Sequence, residues 1–556
     1  MHKGQWSSAD RRRRLAEMAR DKADLLVIGG GITGAGIALD AAARGLRVYV
    51  VEMQDFAAGT SSRSTKLVHG GLRYLKQLEL GVVVEVGKER AIVYENGPHV
   101  TKPEWMLLPL YKGGTFGPFM TSVGLKVYDW LAGVKKAERR TMLTAEETLE
   151  KEPLLNRQGL VGGGYYVEYR TDDARLTIEV MKRAAELGAL AVNYAAAESF
   201  IYEDGKLVGA VVRDSIGGGA YEIKASAIVN ATGPWVDTLR ELDGSKRGKT
   251  LRLTKGVHLV FDGYRFPLRQ AVYFDTPDGR MLFAIPREGK TYLGTTDTDF
   301  GSPDLRYPRM KEDDRRYLLD AANAIFPSLA LRNEDVESSW AGLRPLIRQE
   351  GKAPSEISRR DEIFVSETGL VSIAGGKLTG YRMMAESVIG KVSGMLRAKG
   401  QAVPEGKGTR SLPISGGEVG GSSGYESFVE RQIPLGTAIG LSQAEAESIA
   451  RRYGSNCPVL FALAGSLSDY ATRHGLPLGL AAELAYAVNE ESAVNPEDFW
   501  IRRTGKLLFD IGYVREWENA VHAGMAELCD WDEARSREYR LGLQRCLLQA
   551  ISPEDE

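Results

Sequence analysis

The chain has 556 residues, room for three or four units of roughly 150 residues each. Hydrophobic residues make up 43% and charged residues 26%, the balance of an ordinary globular protein; 72 basic against 74 acidic side chains leave a net charge of −2 and no reason to expect nucleic acid as a partner. The three cysteines, Cys457, Cys529 and Cys546, lack C-x-x-C spacing, which argues against a zinc site, a redox dithiol or a disulfide framework and suits a reducing compartment.

Arg11 to Arg14, followed by an apolar stretch from Leu25, imitate a secretion signal. Glu17, Arg20, Asp21, Lys22 and Asp24 lie between the two, however, and the apolar stretch begins a nucleotide-binding unit, so no signal is expected. No uncharged run reaches the ~20 residues needed to span a bilayer. Residues 1–23 read as a separate N-terminal segment, with a basic surface helix over 9–23; the solvated face is the plain reading and contact with anionic lipid the alternative.

Residues 25–52, LLVIGGGITGAGIALDAAARGLRVYVVE, carry the strongest local pattern. A buried parallel strand leads into Gly29, Gly31 and Gly34 in G-x-G-x-x-G spacing, then a small-residue helix to about Arg44, Gly45 as its C-cap, and a second strand. Gly29 makes the tight turn, Gly31 admits a pyrophosphate against the backbone, and Gly34 packs helix on strand. The helix N-terminus then offers N–H groups and a positive dipole end to the phosphates. Glu52, eighteen residues past Gly34, is placed to accept hydrogen bonds from an adenosine ribose.

From about Lys76 to Glu152 come helical stretches and a bend rich in proline and glycine. Asp172 and Asp173 cap a predicted helix over 174–187, closed by Gly188. A meander follows: a strand to Tyr202, a turn at Asp204 and Gly205, a strand through Val212, and a third ending at Asn230. Residues 255–300 form a second antiparallel set, and a strand over 370–374 runs into Gly375 and Gly376 with a helix after it. Residues 398–424, rich in Gly, Pro and Ser, read as a linker. Beyond them the pattern is helical, with Ser442 and Glu445 as a capping box and Gly454 ending that helix. Gly162 to Gly164 and Gly416 to Gly421 lack the flanking strand and helix of a second dinucleotide unit, which argues against a separate NADH site.

The predicted fold class is α/β: a Rossmann-like nucleotide domain from 24–78, 155–250 and 345–397, interwoven with an antiparallel-sheet cap from 79–154 and 251–344. The linker 398–424 then leads to an all-helical domain over 425–556.

Four further segments carry a resemblance: SSRSTKLVHGGLRY (61–74), IVNATGPWVD (228–237), WAGLRPL (340–346) and VSIAGGKLTGYR (371–382). With YRTDDARL (169–176), KGVH (255–258) and GTTD (294–297), they resemble the FAD-dependent glycerol-3-phosphate dehydrogenases of the respiratory type, within the D-amino-acid-oxidase-like flavoproteins. The resemblance runs along the whole chain. It implies a noncovalent FAD lying extended between the two interwoven domains, a homodimer, and electrons passed on to a membrane quinone. The setting it implies is the cytoplasm, with peripheral contact at the inner face of the cell membrane.

The resemblance also points to site residues. Ser61, Ser62, Lys66, Leu67 and Gly71 are expected on the cofactor, with hydroxyls for phosphate or ribitol oxygens and glycine backbone close to a flat ring. Thr232 and Gly233 end a strand where side chains would collide with FAD, and the N–H of Gly376 is a candidate for the negative charge of the reduced ring. Arg73, Arg344 and Lys377 are the expected cations for a phosphate dianion, Tyr74 a further contact and Arg382 a candidate fourth cation. Oxidising a secondary alcohol moves a hydride from C2 to the flavin while the hydroxyl loses a proton, a task suited to a histidine. His258 is favoured as the base and His69 as a flavin or substrate neighbour; His2, His99, His474 and His522 lack that context.

The resulting expectation is oxidation of sn-glycerol 3-phosphate to dihydroxyacetone phosphate. The rivals are a glycerol-3-phosphate oxidase using O₂, an amine or amino-acid oxidase on the same fold, and a flavoprotein scaffold without catalysis.

Overall fold

The structure is a computed structural model that describes residues 6–68, 80–114, 140–349 and 361–554. Two sheets organise it. In the first, the strands Glu362–Val365, Leu370–Ala374, Ala220–Asn230, Ala23–Ile28, Val48–Val51 and Leu190–Val192 lie side by side in that order. All neighbours are parallel except the edge strand Glu362–Val365, and Ala195–Glu203 and Lys206–Asp214 extend the long strand Ala220–Asn230 as an antiparallel flap. The central strands are buried on both faces because helices cover them, which is why they read as unbroken apolar runs. Ile32–Ala43, Asp173–Glu186 and Tyr381–Ala398 supply much of that cover and share one core with the sheet.

The second sheet has ten strands. Its spine is the pairing of Lys249–Asp262 with Val336–Gln349, antiparallel over almost their full length, and of Thr101–Tyr111 with Leu160–Thr171. Glu312–Ile325 covers part of this sheet, while the C-terminal helices cover another part and share a core with it through Tyr292, Trp340, Trp500 and Phe509.

Four expectations about the fold need correction. Leu160–Thr171 belongs to the second sheet and not to the nucleotide unit over 155–250, because its partner strand is Thr101–Tyr111; Leu67–Val68 joins the same sheet. The strand Val336–Gln349 crosses the expected boundary at 344/345 without interruption. The N-terminal helix Arg11–Arg20 is not simply a basic surface helix: Arg11, Arg14, Leu15 and Met18 are buried. Arg11 pairs with Asp214 at 3.0 Å and donates to the Asn193 carbonyl, and Trp6 donates its indole N–H to the Ala191 carbonyl. Nor does Gly376 open a helix: a single 3-10 turn, Leu378–Gly380, separates it from Tyr381–Ala398.

Candidate active site

The glycine loop sits at the C-terminal end of Ala23–Ile28, the place where open α/β sheets bind ligands. A side chain at Gly34 would lie 1.9 Å from the Gly29 carbonyl oxygen, so helix and strand touch there through backbone. Gly29 adopts φ +114, and a methyl group on it would meet the Ala231 carbonyl at 2.5 Å. Gly30, which the fingerprint leaves open, is equally constrained, because Phe56 and Glu52 fill the space beside it. Gly31 caps the helix, and the next N–H, on Ile32, donates to the Ser61 hydroxyl at 2.9 Å.

Glu52 is anchored before any ligand is considered. Its carboxylate accepts from the Gly30 N–H at 2.7 Å and the Gln54 N–H at 2.8 Å, and burial pushes its pKa up. Opposite it, Asn230 accepts from the Thr232 hydroxyl at 2.7 Å, which fixes the turn before Gly233 at φ +57. The Ser62 hydroxyl is buried and has no hydrogen-bond partner among the described residues. An orphaned hydroxyl, a glycine loop closed to side chains and an oriented carboxylate are together the donor and acceptor set that a dinucleotide requires, and FAD fits it.

A second cavity, of about 180 Å³, lies at the seam between the sheets. Thr60, Arg63, Ser64 and Thr65 form one wall, His258 and Arg344 another, and Lys377 to Thr379 the third. Strand register explains the assembly. Thr254 faces Arg344, Gly256 faces Gly342 and His258 faces Trp340, so alternate positions present one histidine and one arginine on a common face with two glycines between them. Those glycines are needed: a methyl on Gly256 would stand 2.4 Å from the Arg344 guanidinium, and one on Gly342 would stand 2.3 Å from the Arg63 carbonyl.

Arg344 is held from behind. Its guanidinium donates to the Thr295 hydroxyl at 2.9 Å and the Thr296 carbonyl at 3.1 Å, and meets Asp297 at 3.2 Å. Asp297 is well exposed, so solvent screens that pair. His258 is buried, stacks on Trp340 at 4.6 Å and lies 3.0 Å from the Thr65 hydroxyl through Nε2, while Nδ1 has no hydrogen-bond partner among the described residues. Burial, then the charges of Arg344 and Lys66, push its pKa well below the ordinary histidine value, so the imidazole is neutral.

The expected residues therefore divide. Gly29, Gly31, Gly34, Glu52, Ser61, Ser62, Thr232 and Gly233 gather at the nucleotide end, and Leu67, His258, Arg344 and Lys377 gather at the seam. Gly376, at φ +89, sits just before Lys377 with Met384 against it. Lys66 is elsewhere engaged: its ammonium is buried against Asp173 at 2.5 Å and the Ser62 carbonyl at 3.0 Å. Arg382 is not a fourth substrate cation, because Glu89 and Glu386 both bind it. His69, Gly71, Arg73 and Tyr74 lie outside the described residues. Thr295, Gly256 and Gly342 were given no role in the sequence reading, although KGVH and WAGLRPL contain both glycines at strand positions where a side chain would be normal.

Comparison with known proteins agrees with this geometry. Residues 24–382 match the family model described as FAD dependent oxidoreductase, and residues 407–536 match the C-terminal domain of alpha-glycerophosphate oxidase. The chain is 58% identical over 552 residues to the aerobic glycerol-3-phosphate dehydrogenase of Bacillus subtilis (strain 168), covering 99% of both chains. Among solved structures it resembles the glycerol-3-phosphate dehydrogenase from Bacillus halodurans complexed with FAD, with a TM-score of 0.86, 48% identity and 99% of both chains covered. A more distant likeness, to an L-alpha-glycerophosphate oxidase from Mycoplasma pneumoniae, has a TM-score of 0.53 at 19% identity, covers 67% of this chain and 95% of the other, and shows the shared fold alone.

Proposed function

Since the chain belongs to the FAD-dependent oxidoreductases, in the family of the aerobic glycerol-3-phosphate dehydrogenases, we propose that it oxidises sn-glycerol 3-phosphate to dihydroxyacetone phosphate. FAD, when bound, supplies the acceptor for the hydride that leaves C2. The observation that carries the reading is the seam cavity, where an oriented guanidinium, a lysine and a neutral buried histidine line about 180 Å³.

Gly29, Gly31, Gly34 and Ser61 would hold the pyrophosphate, Glu52 the ribose, and Ser62, Leu67, Thr232, Gly233 and Gly376 the remaining length of the cofactor. Arg344 and Lys377 would bind the phosphate of the substrate, with Arg73 and Tyr74 as further contacts. Arginine presents two parallel donors to a phosphate, and each charge-assisted bond contributes ~1.5–3 kcal/mol. His258 would accept the proton of the C2 hydroxyl, directly or through Thr65; His69 is its expected neighbour. A bound dianion also offsets the positive charges of Arg344 and Lys66, which raises the proton affinity of His258 when the base is needed.

The reading extends to a membrane quinone as electron acceptor, peripheral contact with the inner face of the membrane, and a homodimer. Its support is the absence, among the described residues, of any helix long and apolar enough to cross a membrane, together with the lack of a second dinucleotide fingerprint in the sequence. The match of residues 407–536 to an oxidase domain favours one second reading, with O₂ as the acceptor. Turnover with glycerol 3-phosphate, glycerol and lactate, scored with a soluble quinone analogue and by peroxide yield, tests both. The dehydrogenase reading expects product from glycerol 3-phosphate alone and little peroxide; one peroxide per product formed selects the oxidase.

A further inference from the structure

A larger cavity, about 380 Å³, opens where the C-terminal helices meet both sheets, and nothing in the proposed reaction uses it. Its walls carry five arginines, Arg63, Arg309, Arg502, Arg535 and Arg545, against the carboxylates Asp55, Glu497 and Glu538. Asp55 is taken up by Arg502 and Arg503, and Glu538 lies 3.4 Å from Arg535. Three arginines are left without an ion pair among the described residues. Arg63 donates to the Arg306 carbonyl at 2.8 Å and Arg309 to the Pro553 carbonyl at 3.0 Å, neither of which cancels a charge. Arg545 is exposed on Glu533–Ile551.

A second observation also points to a ligand. Tyr539 lines the cavity at 8% exposure, and its hydroxyl has no hydrogen-bond partner among the described residues. Arg309 Nε is similarly buried and unbonded. Buried polar atoms are nearly always satisfied, so two unsatisfied ones in the residues of one cavity wall mark a place for a partner. The surplus of arginines over carboxylates gives the cavity a net charge of about +2, the complement of a dianion.

We propose that this interdomain cleft binds a small dianion bearing a phosphoryl group, gripped by Arg63, Arg309, Arg545 and the Tyr539 hydroxyl. Glu497, a carboxylate of the wall with no ion pair among the described residues, accepts a hydrogen bond from a hydroxyl on the same molecule or from a protonated phosphate oxygen. The cleft is coupled to the seam cavity through one residue. Arg63 lines both: its side chain reaches Arg306, while its backbone packs against Gly342, two positions from Arg344. Thr60, Ser64 and Thr65, on either side of it, belong to the wall facing His258. Occupancy of the cleft therefore acts on the segment that shapes the substrate pocket, whatever substrate that pocket takes.

The test is isothermal titration of inorganic phosphate into FAD-loaded protein carrying Arg344→Ala, which weakens any phosphate site at the seam. One saturable site is expected. Adding Arg545→Ala or Tyr539→Phe should weaken it about tenfold, the equivalent of ~1.4 kcal/mol, with the thermal midpoint unchanged. Arg545 is exposed and Tyr539→Phe conserves shape, so both variants should fold. Arg63→Ala should weaken it further. Absence of saturable binding, or a site indifferent to Arg545→Ala and Tyr539→Phe, overturns the proposal.

Discussion

Two groups of arginines in this molecule have opposite surroundings. Where the C-terminal helices meet the parallel sheet, Arg175 is clasped by Glu179 and Glu491, while Arg502 and Arg503 share Asp55, and Arg502 also binds Asp498. All of these side chains are buried, and each positive charge has its carboxylate. Burial pushes Asp55 upward, but Arg503 and Arg502 outweigh it and hold its carboxyl down at about 2. At the seam, Arg344 is half-buried, braced by two threonines, and meets an exposed, screened carboxylate at the edge of a cavity. A guanidinium enclosed by buried carboxylates fastens domains together; one that lines a cavity is placed to meet a ligand.

The largest effect is expected for His258→Ala, which should slow substrate oxidation by ~10²–10⁴ while leaving affinity for a phosphate analogue nearly intact. Equal losses in rate and affinity would assign His258 to binding. Next comes Asp55→Ala. It removes the carboxylate that two buried guanidiniums share, leaving Arg502 with Asp498, and should cost ~3–5 kcal/mol of stability in urea unfolding, with FAD-loaded survivors retaining normal KM. A change under about 1 kcal/mol would show that the knot is not what joins the domains.

Arg344→Ala should do the reverse. A fall in kcat/KM of ~10–100-fold follows from losing a charge-assisted pair, with the unfolding midpoint and FAD content unchanged. Unaltered kinetics would remove Arg344 from the substrate site.

The smallest effect is a pH dependence on the structural side. Burial, then the charge of Arg175, push His99 down to about 3, whereas in the unfolded chain it titrates near 6.5. Between those values the unfolded state binds the extra proton, so this histidine lowers stability as pH falls below about 6.5, by up to ~1.4 kcal/mol per unit. Glu179, 3.9 Å away and raised to about 7 by burial, works in the opposite direction between about 7 and its unfolded value. The two oppose each other in the wild type. A His99→Gln variant should therefore gain stability relative to wild type as pH is lowered from 6.5 to 5; a constant difference would mean His99 is protonated in the fold.

What the sequence made legible follows from how local each signal is. The glycine loop at Gly29 to Gly34, the cap at Asp172 and the capping box at Ser442 each involve residues close in the chain or a fixed spacing, and all take the backbone geometry expected of them. Charge partners are not local. Lys66, Arg382 and Arg11 looked available for a ligand or for solvent because Asp173, Glu89 and Asp214 lie 107, 293 and 203 residues away. Strand pairing hid Leu160–Thr171 for the same reason: its partner, Thr101–Tyr111, precedes it by some sixty residues, and its glycines look like a loop. Gly163 is glycine because Thr148 of the helix Ala145–Lys151 packs against it, a contact that no local pattern encodes.

The account rests on a cationic pocket beside a bound flavin that selects its alcohol by the phosphate it carries. Anaerobic titration of the FAD-loaded protein, following the flavin absorption band, tests this most directly. Glycerol 3-phosphate should bleach the band at low concentration, glycerol and lactate should leave it unchanged, and Arg344→Ala should require at least tenfold more glycerol 3-phosphate. Bleaching by glycerol or lactate at similar concentrations, or an unshifted titration in the Arg344→Ala variant, would contradict it.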